Sequence, residues 1–166
     1  MENQRPKLSI DLTPADKIVE AAGWLMLAGI WLLVLISYAD LPDRIPTHFN
    51  LAGKADGFGK KAAIVLLPVI ATVLFAGMTV VNRFPHTFNF GVPVTPENAR
   101  FQYTNATRMM RCMKLGVLIL FGFLTIETIG HATGKTDGLG SWFLPVTLLV
   151  QFVLITFFLV KSFRGK

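Results

Sequence analysis

The apolar residues of this chain come in uninterrupted blocks, not at helical or strand spacing. That arrangement is the signature of membrane spans. Between the first two blocks lies one long polar stretch, LPDRIPTHFNLAGKADGFGKK at residues 41–61, rich in Gly and Pro. The rest of the chain reads as machinery for holding that stretch at a membrane surface. Charged residues make up 16% of the 166, against about 25% in a soluble domain. The net charge of +6 comes from Lys and Arg placed beside the apolar blocks. Membrane topology accounts for them there, and no nucleic-acid partner is expected. A single cysteine, Cys112, excludes an internal disulfide and a thiolate metal cluster.

Taken in order, the polar segment 1–12 is expected to fray or lie on the membrane surface. Thr13-Pro14-Ala15-Asp16 is a helix start: Thr13 caps, Pro14 suits the first helical position, and Asp16 complements the positive helix end. The first span is 18–38, about 31 Å of helix. The loop 39–60 follows, and then a second span at 62–81, with Pro68 kinking it or sitting near its end. Residues 82–94 connect to Thr95-Pro96-Glu97-Asn98, which repeats the helix-start chemistry of Thr13. From there a helical pattern runs without a breaker to Ile129, about 51 Å and too long for a bilayer. Residues 96–111 are therefore expected to form a helix outside or along the membrane that continues into a third span, 115–129. Phe101, Ala106, Met109, Met110 and Met113 can face apolar surface while Arg100, Arg108 and Arg111 stay wet. A plain solvated extension is the other reading. The loop 131–141 leads to a fourth span, 142–160, with Pro145 near its start and Gln151 mid-span as interhelical glue.

Four spans put both termini on one side. With them fall Arg5, Lys7, Lys17, Arg83, Arg100, Arg108, Arg111, Lys114, Lys161, Arg164 and Lys166, eleven in all. The other side has Arg44, Lys54, Lys60, Lys61 and Lys135, which is five. The positive-inside rule then places both termini in the cytoplasm of a multi-pass protein of the cell membrane, with 41–61 facing out.

Gly53-Lys54-Ala55-Asp56-Gly57-Phe58-Gly59 matches Gly134-Lys135-Thr136-Asp137-Gly138-Leu139-Gly140 at five of seven positions, at an offset of 81. The two Thr-Pro starts are offset by 82, and Leu67-Pro68 and Leu144-Pro145 recur at the heads of the following spans. The fold expected is all-α, one membrane domain over 1–166. Its four transmembrane helices form two parallel helical hairpins, 13–81 and 95–160, about a pseudo-two-fold axis along the membrane normal. The first hairpin carries the ordered extracytoplasmic loop; a cytoplasmic helical extension precedes the third span. The other reading of the matched heptads is convergent turn chemistry.

In the polar stretch, Pro42 and Pro46 impose an extended path. Pro46, His48, Asn50 and Asp56, with Asp137 in the second copy of the heptad, are the candidate ligand-binding residues. They would line a pocket for a peptide, a lipid headgroup or a metal. Alternatively, His48 and Asn50 bond backbone groups and fold the loop as a plug. Glu127 lies inside the third span, where an ionisable group is a functional candidate. His131, at i+4, shares its face. With His48 they would make a carboxylate and two imidazoles, a set that suits Zn²⁺ or another divalent metal; Glu127 bonding inside the bundle is the alternative. The sequence shows no nucleophile–base pair, phosphate-cradling loop or dinucleotide fingerprint, so no catalytic residue is assigned.

Leu41, Pro42, Ile45, Pro46, His48, Phe49, Asn50, Gly53 and Asp56 follow the pattern LPxxIPxHFNxxGxxD. In this the stretch resembles the SdpI-like bacterial membrane proteins, and PVTPENARFQYTNATRMMRCMKL is similar to the helix before the third span in their small members. The resemblance implies an integral membrane protein carrying a domain of unknown function. Its best-understood relatives give immunity to a secreted toxic peptide, sense that peptide and hold a repressor at the membrane. This chain is shorter than those. The expected roles are immunity to, or sensing of, an extracellular ligand such as a peptide, with a cytoplasmic protein partner. The alternative is a membrane enzyme or metal-dependent transporter using Glu127, His131 and His48.

Overall fold

A computed structural model describes residues 5–165. Residues 1–4 of the segment expected to fray, and Lys166 among the counted cations, lie outside the described residues. The chain is mostly helical: α1 (Pro14–Ser37), α2 (Leu66–Val81), α3 (Ala99–Ala132) and α4 (Phe143–Arg164). With the 3₁₀ turn Lys61–Val65 that leads into α2, all four are long and apolar enough to cross a membrane. A two-stranded antiparallel sheet, β1 (Arg44–Phe49) and β2 (Ala55–Lys60), separates α1 from α2.

Short-range side-chain bonds shape the start of both long helices, but only α1 has a side-chain cap. Thr13 caps α1, and the Asp16 carboxylate three residues on accepts the Thr13 amide at 2.9 Å. Before α3, the Asn98 side-chain oxygen accepts the Thr95 amide, also at 2.9 Å. There the Thr95 hydroxyl bonds the Glu97 carboxylate and holds it below its ordinary pKa. Pro68 and Pro145 both fall in the first turn of their helices. The amide a proline lacks would have no intrahelical partner there, so neither span needs a kink.

Helix α3 is the central rod; α1, α2, α4 and β1 all pack on it. At mid-height Leu27 and Ile30 of α1 meet Ala71 and Phe75 of α2 and Leu118 of α3. Gly23 makes room for the Phe75 ring, since a Cβ there would stand 2.9 Å from it. At the hairpin end Val34, Leu41, Ile45 and Ile64 form a second core. Helix α4 is tied down near its C-terminal end by side chains of α3 that bond its carbonyls. Gln102 of α3 donates to the Ser162 and Gly165 carbonyls at 3.0 Å each, and Asn105 donates to that of Phe158 at 2.8 Å.

The end of the bundle that carries the termini holds a buried ion-pair network between α1 and α3. Arg108 contacts Asp16 at 3.1 Å, and Arg111 lies 3.6 Å from Asp16 and 3.4 Å from Glu20. Lys114, 2% exposed, donates to Glu20 at 2.7 Å and to Thr79 of α2 at 2.8 Å, and lies 4.4 Å over the Phe75 ring.

Several expectations change. The fold is not purely helical, because the polar stretch pairs as a sheet. The extension before the third span does run on into it as expected, in one unbroken helix of 34 residues, but it is not a free surface helix. Its first turns are packed, with Ala99, Gln102, Tyr103, Asn105 and Ala106 buried. Arg111 is buried, not wet, because two carboxylates of α1 face it. The N-terminal segment is engaged: Arg5 donates to the Phe88 carbonyl at 2.5 Å and lies over the Phe90 ring.

Lys114→Met removes the ammonium and leaves Glu20 with only its longer 3.4 Å contact to Arg111, an expected loss of about 3 kcal/mol in equilibrium unfolding in detergent. Adding Glu20→Leu to that variant is expected to return most of the loss; a double variant as weak as the single one would refute the coupling.

Candidate functional site

The polar stretch folds as a hairpin because its composition supplies one sharp turn between two extended runs. Asn50 makes the turn: its side-chain oxygen accepts the Ala52 and Lys54 amides at 3.0 and 3.1 Å, and Gly53 takes φ +73°. The strands pair Arg44 with Lys60, Ile45 with Gly59, Pro46 with Phe58, His48 with Gly57 and Phe49 with Ala55. The register slips around Thr47 and again after His48. Pro46 has no amide to give, and a two-stranded sheet tolerates it because both its strands are edges.

Four of the candidate residues thus have defined places. His48 Nδ1 and Asp56 Oδ1 bond across the strands at 2.5 Å, with both side chains open to the surroundings. This leaves Nε2 as the free ring nitrogen. Asn50 shapes the turn, in line with the loop-folding reading. Pro46 is buried beneath the hairpin. Asp137 is exposed on the second loop.

The proposed metal trio is not drawn together. His48 turns to Asp56. His131 packs between Phe49 and Phe58, with ring centroids 6.3 and 6.2 Å away. Glu127 is half-buried on α3, with one carboxylate oxygen enclosed and unbonded among the described residues. No group of three or more His, Cys, Asp or Glu side chains placed to hold a metal occurs among the described residues. His48 has no hydroxyl or thiol bonded to it there either, so the pair lacks the nucleophile of a hydrolytic triad.

The hairpin does form one wall of a crevice of about 230 Å³. Residues 45–49 of β1 line it along one side; Ile64, Leu67, Leu124, Thr128 and Leu139 close the others. The lining is mainly apolar, with the Thr47, His48 and Thr128 side chains as its polar points.

The two heptads noticed in the sequence meet at this end. Leu139 donates its amide to the Gly53 carbonyl at 2.8 Å. A Cβ on Gly53 would stand 2.3 Å from the Gly140 carbonyl oxygen. Gly53 and Gly134, the matched first glycines, share a left-handed backbone at φ +73° and +71°. After that the copies diverge. The first continues as β2, whereas the second turns through Gly138 and Gly140 at positive φ. Gly53→Ala is expected to cost at least about 2 kcal/mol through its φ and the backbone overlap, and to free the second loop from the hairpin. Thermal unfolding and a distance label pair at Ala52 and Ser141 would read both effects. Native stability with an unchanged label distance would count against the contact.

No spacing in the sequence marks the ion-pair residues Asp16, Glu20, Arg111 and Lys114 as a unit. The signal available was Glu20, an acidic residue inside the first predicted span.

The family described as "Domain of unknown function (DUF1648)" matches residues 25–72. That range takes in the second half of α1, the whole hairpin and the beginning of α2. A protein of Archaeoglobus fulgidus described as "Uncharacterized protein" is 26% identical over 165 residues, covering 91% of this chain and 90% of its own length. No solved structure matches. The chain is therefore a membrane protein by its four spans, similar at its hairpin to a domain family of unknown function and along nearly its whole length to an archaeal protein.

Proposed function

We propose that this chain is a recognition protein of the cell membrane that binds an extracellular peptide along β1, giving immunity to that peptide or sensing it. The crevice at the hairpin end carries this reading. A small-molecule pocket is typically about 300–1,000 Å³ and encloses most of its ligand. An open, mainly apolar crevice of about 230 Å³ beside an edge strand suits the side chains of an extended segment instead. Such a segment would gain main-chain bonds from the strand edge and specificity from the crevice. His48, oriented by Asp56, offers Nε2 at the rim as a polar point of recognition.

The excess of Lys and Arg at the termini end supports an outward-facing hairpin end. The matched helix starts and matched first glycines support two parallel hairpins descended from one unit. Peptide bound at one end of α3 would bias the packing at the other, where a cytoplasmic partner would read it. The resemblance to immunity and sensing proteins motivates that relay.

Two measurements test the reading. In a Cys112→Ser background, Lys54→Cys is expected to react with a membrane-impermeant thiol reagent applied to intact cells, and a cysteine at Ser162 is expected not to. The reverse pattern would put the crevice on the wrong side. Cells producing the protein would also be challenged with a panel of cationic amphipathic membrane-active peptides. Survival is expected to rise at least tenfold against one class of peptide and to fall back with Leu139→Trp, which fills the crevice, at equal membrane abundance. Protection by neither protein, or by both equally, would remove the crevice from the function.

A further inference from the structure

At the end opposite the hairpin, α3 and α4 leave a groove of about 480 Å³ between them. Phe101, Phe157 and Val160 form its apolar walls, with Thr156 at its deeper end and Lys161 and Arg164 at its rim. We infer that this groove holds one anionic phospholipid, its acyl chain along the apolar walls and its phosphate between Lys161 and Arg164.

Three observations carry the assignment. The first is charge. The Lys and Arg residues of the facing helix α3 have acidic partners: Arg108, Arg111 and Lys114 face Asp16 and Glu20, and Arg100 lies 3.9 Å from Asp11. Lys161 and Arg164 have no ion pair among the described residues. They stand three apart in the last turn of α4, a spacing at which like charges repel on one helix face. A shared anion converts that repulsion into attraction.

The second is depth. Phe157 to Arg164 is about 10 Å along the helix, the step from the upper acyl region to the headgroup. Basic pockets between spans at the membrane surface take anionic headgroups. The order of side chains here, apolar below and cationic above, is that of an amphiphile site.

The third is the end wall. The chain after α4 lies directly on Phe101, where even a Cβ on Gly165 would collide with the ring. Gln102 holds this turn by donating to the Gly165 carbonyl at 3.0 Å. The groove therefore ends in a backbone tied to α3, not in a loose tail. The inference is independent of the peptide reading and of which way the termini face.

The test uses the full chain purified in a neutral detergent. Native mass spectrometry is expected to show phosphatidylglycerol retained at least fivefold more than phosphatidylcholine of the same acyl chains. Lys161→Gln/Arg164→Gln is expected to erase the preference. Lys54→Gln/Lys135→Gln, which removes the same charge at the hairpin end, is expected to keep it. Glycerol 3-phosphate, supplying the headgroup anion alone, is expected not to compete at equal concentration. Equal retention of the two lipids, a preference that survives Lys161→Gln/Arg164→Gln, or one lost equally in both double variants would overturn the site. Displacement by glycerol 3-phosphate would overturn its assignment to a lipid.

Discussion

One ammonium group ties three helices together. Lys114 extends from α3, bonds Glu20 of α1, bonds Thr79 of α2 and covers the Phe75 ring. In a bilayer the lipid tails are as apolar as the side chains they touch, so packing and specific polar contacts must set how helices sit against each other. Much of the remaining helix surface is Leu, Val, Ile and Phe, with a few neutral bonds such as Trp31 to Thr72 and Gln102 and Asn105 to α4. The ion pairs permit one register. With Arg108 and Arg111 on Asp16 and Glu20, α1 cannot slip along α3 without stranding charges away from water.

That register reaches the hairpin because α3 is continuous. From Lys114 to Thr128 is about 21 Å of uninterrupted helix, so the wall that Leu124 and Thr128 give the crevice is fixed by contacts made at the far end. The hairpin wall is fixed differently. Ile45 is buried with Val34, Leu41 and Ile64, so β1 is anchored to the exit of α1 and the approach to α2. The crevice lies between these separately anchored parts. Its width is thus sensitive to any tilt between α1 and α3, which is what the proposed relay would use.

What was legible in the sequence was mostly local. The Thr13 and Thr95 starts act within three residues; the first formed as read, whereas at the second residues 95–98 make a turn and the helix begins only at Ala99. The spans were legible because hydrocarbon thickness imposes a length. The sheet was not, since Pro42, Pro46 and three glycines, Gly53, Gly57 and Gly59, hide the alternation by which a strand is recognised. The partner of His48 came from the candidate list itself: Asp56 is eight positions away, and only the hairpin brings them together. Lys114 and Glu20 are 94 positions apart. Lys114 was read as a topological flank, because charge beside a span has two uses that sequence alone does not separate. The proposed metal trio draws on two elements. Residues one turn apart on α3 share a face, but the His48 ring is committed across the hairpin.

The heptads show how two similar stretches can come to play different parts. Their first glycines keep the same backbone, which places a turn at the same point in each. The residues at the divergent positions, Ala55 and Phe58 against Thr136 and Leu139, then separate them. Ala55 and Phe58 sit in a strand. Leu139 is buried, and its amide bonds the first copy. A strand pair alone is marginally stable. Here the second heptad braces the first through backbone contacts at Gly53, Gly138 and Gly140, where a side chain would collide. The glycines therefore do more than permit turns: they let two loops approach closely enough for one to buttress the other. The candidate site depends on that approach, since Leu139 closes the crevice that β1 opens.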